Sequence, residues 1–106
     1  MSPHQKLETE ILSQLEDDIL SFGWLRQLAA PELKEEAVFD AAVTLVDSGI
    51  VVIGDAKSER RMVIIEKWRE TGDDLKEKMR HRVDSASDLD RDFCFWLQLA
   101  RHHALK

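Results

Sequence analysis

Two short apolar runs constrain the fold of this chain more than any other feature. Residues 50–53 follow Gly49 directly, and residues 62–65 come after a polar segment, residues 54–61. Both runs are rich in β-branched side chains and too short for helices, so they predict the two strands of a β-hairpin. Because every position in both runs is apolar, we expect helices or another chain to cover both faces of the hairpin.

Helical patterns occupy most of the chain on either side of the hairpin. Ser2, Pro3 and Gln5 form a helix-start signal, with a capping hydroxyl, a proline at the first helical position and a glutamine three residues after the cap. The spacing of apolar residues predicts helices over residues 3–22, 31–48 and 73–82, and a short helical turn over residues 24–30. Together with the hairpin, these elements predict an α+β fold.

The segment after Ser87 fits two structures. A helix over residues 87–104 would share one broad apolar face among Leu89, Phe93, Trp96, Leu97, Ala100 and Ala104. A strand over residues 93–99 would instead alternate Phe93, Phe95, Leu97 and Leu99 with Cys94, Trp96 and Gln98, and would pair with the hairpin. We favour the helix because it places polar side chains on the opposite face, namely Asp90, Arg91, Gln98 and Arg101.

Length and composition predict one domain over residues 1–106. Apolar residues make up 43% of the chain and charged residues 34%, which is a globular composition. No segment approaches the roughly 20 apolar residues of a membrane span, and the first residues lack the basic-then-apolar order of a secretion signal. Cys94 is the only cysteine, so no internal disulfide forms. These features predict a cytoplasmic protein that makes no membrane contact.

The predicted elements of residues 7–68 follow the order helix, short helix, helix, apolar strand, basic loop and apolar strand. This order resembles a winged-helix domain, although the likeness lies in the elements and not in particular residues. The resemblance implies that the third helix enters the major groove of DNA and that the hairpin, called the wing, touches the phosphate backbone or the minor groove. The same fold also serves protein binding, so the resemblance alone does not decide the function.

The charge of the candidate recognition helix argues against a DNA-reading role. Between residues 32 and 47 a single base, Lys34, faces five acids, which are Glu32, Glu35, Glu36, Asp40 and Asp47. A DNA-binding helix needs lysines and arginines that displace counterions from the phosphates. The wing is only mildly basic, with Lys57, Arg60 and Arg61 against Asp55 and Glu59. We therefore rank DNA binding through the wing below protein binding.

The charge of the chain is divided between two regions. Residues 1–48 hold ten acids and three bases, whereas residues 57–82 hold nine bases and six acids. Most charge clusters are solvated surfaces. The alternative is that the acidic side chains attract a basic protein partner, since complementary potentials raise association rates and select partners. The predicted partner-binding residues are Glu16, Asp17, Asp18, Glu35, Glu36 and Asp40. A chain with this polarity can also bind its own copy, which makes a homodimer a candidate state.

No pattern of residues predicts a catalytic, cofactor-binding or metal site. Asp17 and Asp18 are adjacent, so on a helix their carboxylates diverge and cannot share a proton. His102 and His103 have the same problem as metal ligands, and Cys94 between two phenylalanines favours a buried, inert thiol. We expect no enzyme activity and no cofactor.

Three tryptophans in a chain of this length are either core residues or interface anchors. Trp24 and Trp68 lie at predicted element boundaries, where partial exposure is expected, and Trp96 is expected in the core.

The function that these observations favour is a small protein-binding module of the adaptor, inhibitor or toxin-neutralising type. The first alternative is a transcription regulator that contacts DNA through the wing, and the second is a structural subunit of a homo-oligomer.

Overall fold

The structure, a computed structural model, describes residues 2–103 and consists of helices around one sheet. The longer helices are α1 (Pro3–Leu15), α2 (Phe22–Ala29), α3 (Glu35–Asp47) and α4 (Gly72–Ser85), and a single turn, α5, covers Ala100–His103. The strands are β1 (Leu20–Ser21), β2 (Val51–Glu59), β3 (Met62–Lys67) and β4 (Trp96–Leu99), and a 3₁₀ turn at Arg91–Phe93 precedes β4. The predicted α+β class is therefore confirmed.

The four strands form one antiparallel sheet in the order β1, β4, β2, β3. β2 and β3 form the predicted hairpin, paired from Gly54 and Lys67 to Glu59 and Met62. β2 runs to Glu59, so most of the segment predicted as a loop, residues 54–61, is strand, and only Arg60 and Arg61 make the turn.

The predicted helix over residues 87–104 is wrong, because the segment forms the 3₁₀ turn, strand β4 and the short α5. Residues 51–53 are buried and precede the pairing with β3, which begins at Gly54. Beyond that pairing, Trp68 donates a hydrogen bond to the Ile53 carbonyl, and β4 pairs with β2 from Val51 and Leu99 to Gly54 and Trp96. Buried backbone groups need hydrogen-bond partners, and a helix at this place would supply none. Ala104, the last residue of the predicted helical face, lies outside the described residues.

Strand β4 has the alternation of a strand with two different faces. Phe95, Leu97 and Leu99 are buried in the core. Trp96 and Gln98 lie between them and are only half-buried, so Trp96 is not the core residue that was predicted. Of the two boundary tryptophans, Trp24 is exposed and Trp68 is buried.

Helix α1 starts as predicted and ends earlier. The Ser2 hydroxyl accepts a hydrogen bond from the Gln5 backbone N–H, and the Gln5 side chain accepts one from the Ser2 N–H. The helix ends at Leu15 rather than near residue 22, because Leu20 and Ser21 pair with β4 as strand β1. The third helix also starts later than predicted, at Glu35.

An aromatic chain runs through the core and joins helices to the sheet. The rings of Phe22 and Phe39 lie 5.9 Å apart, and those of Phe22 and Phe95 lie 5.0 Å apart. Trp68, just after β3, extends the chain with its ring 5.9 Å from that of Phe95. Each aromatic pair adds stabilisation to the area that it buries. The same core takes in one face of α4 through Leu75, Met79 and Val83.

The hairpin is covered on both faces only at its base. Val51, Val52 and Ile53 are buried, as expected for strands that are apolar throughout. Met62 and Val63 near the turn are 66% and 53% exposed, so the expectation of two covered faces is wrong for the outer half of the hairpin. Ile65, opposite Ala56, is still buried, so the hairpin projects from the body of the molecule beyond the Ala56–Ile65 pair.

The hairpin turn places two arginines in the left-handed region, with φ of 49° at Arg60 and 69° at Arg61. Two-residue turns of this kind favour Asn-Gly, because those residues accept positive φ at low cost. We expect the double substitution Arg60→Asn, Arg61→Gly to raise the free energy of unfolding by about 1 kcal/mol, measured by urea denaturation. The control is Ser58→Gly in strand β2, which should lower the free energy of unfolding because glycine weakens a strand. An unchanged or lower stability of the double variant would contradict the strained turn.

Candidate functional site

A cleft opens between the end of α1 and the edge of the sheet. Its volume is about 240 Å³, and its lining is Gln14, Asp17, Asp18, Ile19, Leu20, Ser21, Trp24 and Trp96. It exists because the chain leaves α1 at Leu15 and returns as β1 beside β4. Its lining thus combines two indole side chains, Trp24 and Trp96, with two carboxylates, Asp17 and Asp18.

Local structure explains how Trp24 reaches the cleft. The Ser21 hydroxyl accepts a hydrogen bond from the Trp24 backbone N–H and so begins α2. The inner face of α2 buries Phe22 and Leu25, which leaves Trp24 on the outer face with 47% of its surface exposed. Ser21 is also the strand partner of Trp96, so the start of α2 and the end of β4 are held side by side.

Phe93 extends this aromatic surface. Its ring stacks on that of Trp96 with 5.9 Å between centroids, and 61% of its surface is exposed. The 3₁₀ turn that carries Phe93 can approach α2 because the contact residue is Gly23: a Cβ there would lie 2.5 Å from the Cβ of Asp92. We name the surface formed by Asp17, Asp18, Trp24, Phe93 and Trp96 the aromatic-acidic cleft.

The two aspartates of the cleft are exposed and carry their charge without an ion-pair partner among residues 2–103. The Asp18 carboxylate accepts a hydrogen bond of 2.8 Å from the backbone N–H of Ile19. Their neighbour Glu16 differs, because its carboxylate binds the Arg101 guanidinium. Within this part of the predicted acidic surface, Asp17 and Asp18 keep free charges and Glu16 does not.

The other predicted acidic residues lie on α3, where α4 supplies bases to two of them. Lys76 Nζ is 2.7 Å from a carboxylate oxygen of Glu36 and 2.7 Å from one of Asp40. Arg80 donates to the same Glu36 carboxylate, with 2.8 Å from Nη2 to Oε1. Hydrogen bonds from Lys76 and Arg80 lower the pKa of Glu36, and the carboxylates of Asp40 and Glu36 raise the pKa of Lys76. Glu35 is exposed and forms no ion pair with another described residue.

The three wing residues, Lys57, Arg60 and Arg61, lie where the hairpin projects. All three are exposed, and none forms an ion pair within the described part of the chain. The bases of α4 do not join them in one surface, because Lys76 and Arg80 are engaged with α3 and Arg82 with Asp55. The unpaired positive charge of the described hairpin therefore lies at its turn, at Lys57 and at Lys67.

The base of the hairpin is fixed to α4 through Trp68. The indole Nε1 of Trp68 donates to Asp55, at 2.9 Å, and Arg82 donates to the same carboxylate oxygen, also at 2.9 Å. Lys78 and Arg82 lie over the ring, 4.6 and 5.2 Å from its centroid. Such cation–π contacts hold long side chains in place. This cluster holds the hairpin, and its polar groups already have partners.

Sequence reasoning expected partial exposure of Trp24, which is exposed, but missed the other two aromatic residues of the cleft. Phe93 and Trp96 were placed with the core of a helix, whereas both contribute to the surface. The available signal was the alternation of residues 93–99, which predicts opposite faces for Trp96 and Leu97.

The surroundings of Cys94, His81 and His103 are those of side chains that pack or hydrogen-bond within the fold. Cys94 is half-buried, and burial raises the pKa of its thiol to about 11, so at neutral pH it is protonated and a poor nucleophile. A ring nitrogen of His103 lies 3.1 Å from the carbonyl oxygen of Ile65, at hydrogen-bond distance, and His81 contacts Ser85. Among residues 2–103, histidine, cysteine and acidic side chains form no group of three with the placement of metal ligands.

No protein-family model, no curated protein and no solved structure matches this chain. The winged-helix resemblance therefore stays a prediction from the order of elements. Within residues 2–103, no helix has the length and apolar character needed to cross a membrane.

The ion pairs between α3 and α4 predict a pH-dependent stability. The pKa of Glu36 is lowered in the folded chain, so its contribution is present at pH above the ordinary glutamate range and disappears as the pH falls through the folded-state pKa. Urea denaturation should show that Glu36→Gln lowers the free energy of unfolding at neutral pH and that its difference from wild type narrows in acid. Glu35→Gln is the matched control on the next residue and should change little. Identical pH profiles for the two variants would contradict this role.

Proposed function

We propose that this chain is a small non-enzymatic protein-binding module, of the adaptor, inhibitor or toxin-neutralising type, whose acidic surface takes a basic protein partner. The aromatic-acidic cleft is the part of that surface that makes the close contact. One observation carries the proposal: Trp24 and Trp96 line the same cleft as two carboxylates that have no ion-pair partner among the described residues, and Phe93 stacks on Trp96.

The aromatic residues support binding because their rings remain partly exposed at the surface. Trp24 is 47% exposed and lines the cleft, and Phe93 is 61% exposed and stacks on Trp96, which also lines the cleft. Tryptophan is enriched among the few residues that dominate interface energies, since a large rigid ring buries much area at low entropic cost. A partner that covers Trp24 and Phe93 would remove this apolar area from water.

The carboxylates indicate the sign of the partner. Asp17 and Asp18 are free to pair with lysines or arginines of a second protein, and the net charge of −6 attracts such a protein from a distance. Glu36 and Asp40 contribute less to a direct contact because a partner would have to displace Lys76 and Arg80. Of the predicted acidic residues, Asp17 and Asp18 are thus the best placed for contact, with Glu35 as an outlying exposed charge.

A cytoplasmic location belongs to the same proposal. Cys94 is the only cysteine, so the fold is stabilised without an internal disulfide, as is usual where thiols stay reduced.

The cleft can be tested by quantitative pull-down from a lysate of the source cell, with captured proteins identified by mass spectrometry. Trp24→Ala should weaken capture of the specific partner by about tenfold or more, because truncating a central anchor costs about 2 kcal/mol. The double reversal Asp17→Lys, Asp18→Lys should abolish capture of a basic partner.

The matched control is Glu10→Lys, Glu77→Lys, which makes the same change of charge at exposed positions of α1 and α4. It should leave most of the capture intact. Equal loss in the control would assign the effect to net charge, and unchanged capture by both cleft variants would contradict the proposed surface.

DNA binding through the wing is the second candidate, because Lys57, Arg60 and Arg61 are exposed on a projecting hairpin and unpaired within residues 2–103. If it is correct, the protein binds mixed DNA at low salt, binding weakens at moderate salt, and Arg60→Ala, Arg61→Ala removes most of it. A fluorescence titration measures this. Two arginines and a lysine neutralise few phosphates, so we expect weak binding or none, and tight binding that depends on the wing would place this function first.

A further inference from the structure

The geometry points to a specific occupant of the aromatic-acidic cleft: the hairpin turn of a second copy of this chain. We define the hairpin tip as Arg60, Arg61, Met62 and Val63. In the proposed dimer the two copies exchange tips, so that each tip lies in the cleft of the other copy. The inference rests on the proposed role of the cleft in protein binding, and it names the hairpin tip of a second copy as one partner of the cleft.

The hairpin tip has the chemistry of a ligand. Arg60 and Arg61 are exposed cations without an ion-pair partner among residues 2–103, and Met62 and Val63 next to them are exposed apolar side chains. Both arginines occupy the left-handed region, where asparagine and glycine would be more stable. Residues held in sparsely populated backbone regions cluster at functional sites.

The cleft has the complementary chemistry. A guanidinium group can stack on the indole of Trp24 or Trp96 while its N–H groups donate to Asp17 or Asp18. Met62 and Val63 would then cover the ring of Phe93 or Trp96. Charge and apolar area are thus matched on both sides of one contact.

The sheet places the Trp96 wall of the cleft at the end of the molecule from which the hairpin projects. Trp96 pairs with Ser21 on one side and with Gly54 on the other. From Gly54 the hairpin continues for five more residues to Glu59, a reach of about 16 Å at the usual rise of a strand. Two copies related by a twofold axis near this end can therefore bring each tip to the other cleft. Such a contact is isologous, which means that both copies use the same surfaces, so the assembly stops at a dimer.

Sedimentation equilibrium over a wide range of protein concentrations tests the dimer with the full chain. Wild type should dimerise. The cleft variant Asp17→Arg, Asp18→Arg and the tip variant Arg60→Glu, Arg61→Glu should each raise the dimer dissociation constant by at least about tenfold, because each sets like charges opposite one another.

Mixing the cleft variant with the tip variant is the decisive step. In the mixed dimer both contacts pair opposite charges again, whereas each variant alone pairs like charges in both. We expect the mixture to recover a dimer close to wild-type affinity while each variant alone stays monomeric. A mixture that stays monomeric would contradict the exchange of tips.

The double variant Arg60→Asn, Arg61→Gly distinguishes weaker dimerisation through loss of the tip contact from weaker dimerisation through unfolding. This variant relieves the turn, so it should unfold at higher urea than wild type and yet dimerise less. The double reversal Lys6→Glu, Lys34→Glu makes the same charge change as the tip variant at exposed sites elsewhere and should leave the dimer intact. A strong dimer in the relieved-turn variant would overturn the inference.

The inference and the proposed function fail in different ways. A wild type that is monomeric at every concentration overturns the exchange of tips, and the proposed function still stands if the cleft variants lose their captured partner. If the cleft substitutions change neither the dimer dissociation constant nor the capture of a partner, both the exchange of tips and the proposed function are contradicted.

Discussion

The pairing of β4 with β2 is the interaction on which the rest of the structure depends. It supplies hydrogen-bond partners to a buried part of β2, residues 51–53, and it brings the late residues of the chain against the early ones through β1. Phe95, the residue just before β4, lies between Phe22 and Trp68 in the core. Because a strand alternates its side chains, burying Phe95 and Leu97 directs Trp96 to the other face. The cleft is thus a consequence of how the sheet is completed.

The second determining contact is the packing of α4 on α3. Its apolar stripe of Leu75, Met79 and Val83 closes the core, and its bases neutralise acids of α3. The segment with the highest density of negative charge therefore has part of that charge balanced inside the molecule. The charges without an ion-pair partner among the described residues include Asp17 and Asp18 at the end of α1 and Arg60 and Arg61 at the turn of the hairpin. Both proposals concern these two sites because ionic groups without partners are the ones available to another molecule.

Local signals were sufficient for much of the fold. The capping box at Ser2 and Gln5 marks the start of α1, and Gly49 followed by a β-branched run marks the change from α3 to β2. The segment after Ser87 was predicted wrongly because its apolar residues satisfy both the helical and the strand period, and only the unfilled edge of β2 distinguishes them. The end of α1 was misplaced for a similar reason: Ile19 and Phe22 continue the helical spacing, yet Leu20 and Ser21 pair with β4. For the candidate site, sequence reasoning proposed Asp17 and Asp18, which line the cleft, and placed Trp96 in the core, where the structure does not have it.

The amino-acid sequence by itself determined the helices that begin with strong capping and spacing signals, the hairpin, the single unpaired cysteine and the division of charge along the chain. These properties depend on neighbours within a few residues, so periodicity and turn chemistry are enough to predict them. Tertiary structure alone decided that residues 96–99 form a strand, that Lys76 and Arg80 neutralise acids of α3, and that Trp24, Phe93 and Trp96 share one surface. Each of these depends on which distant segment supplies a hydrogen-bond or charge partner, and no local pattern specifies that choice.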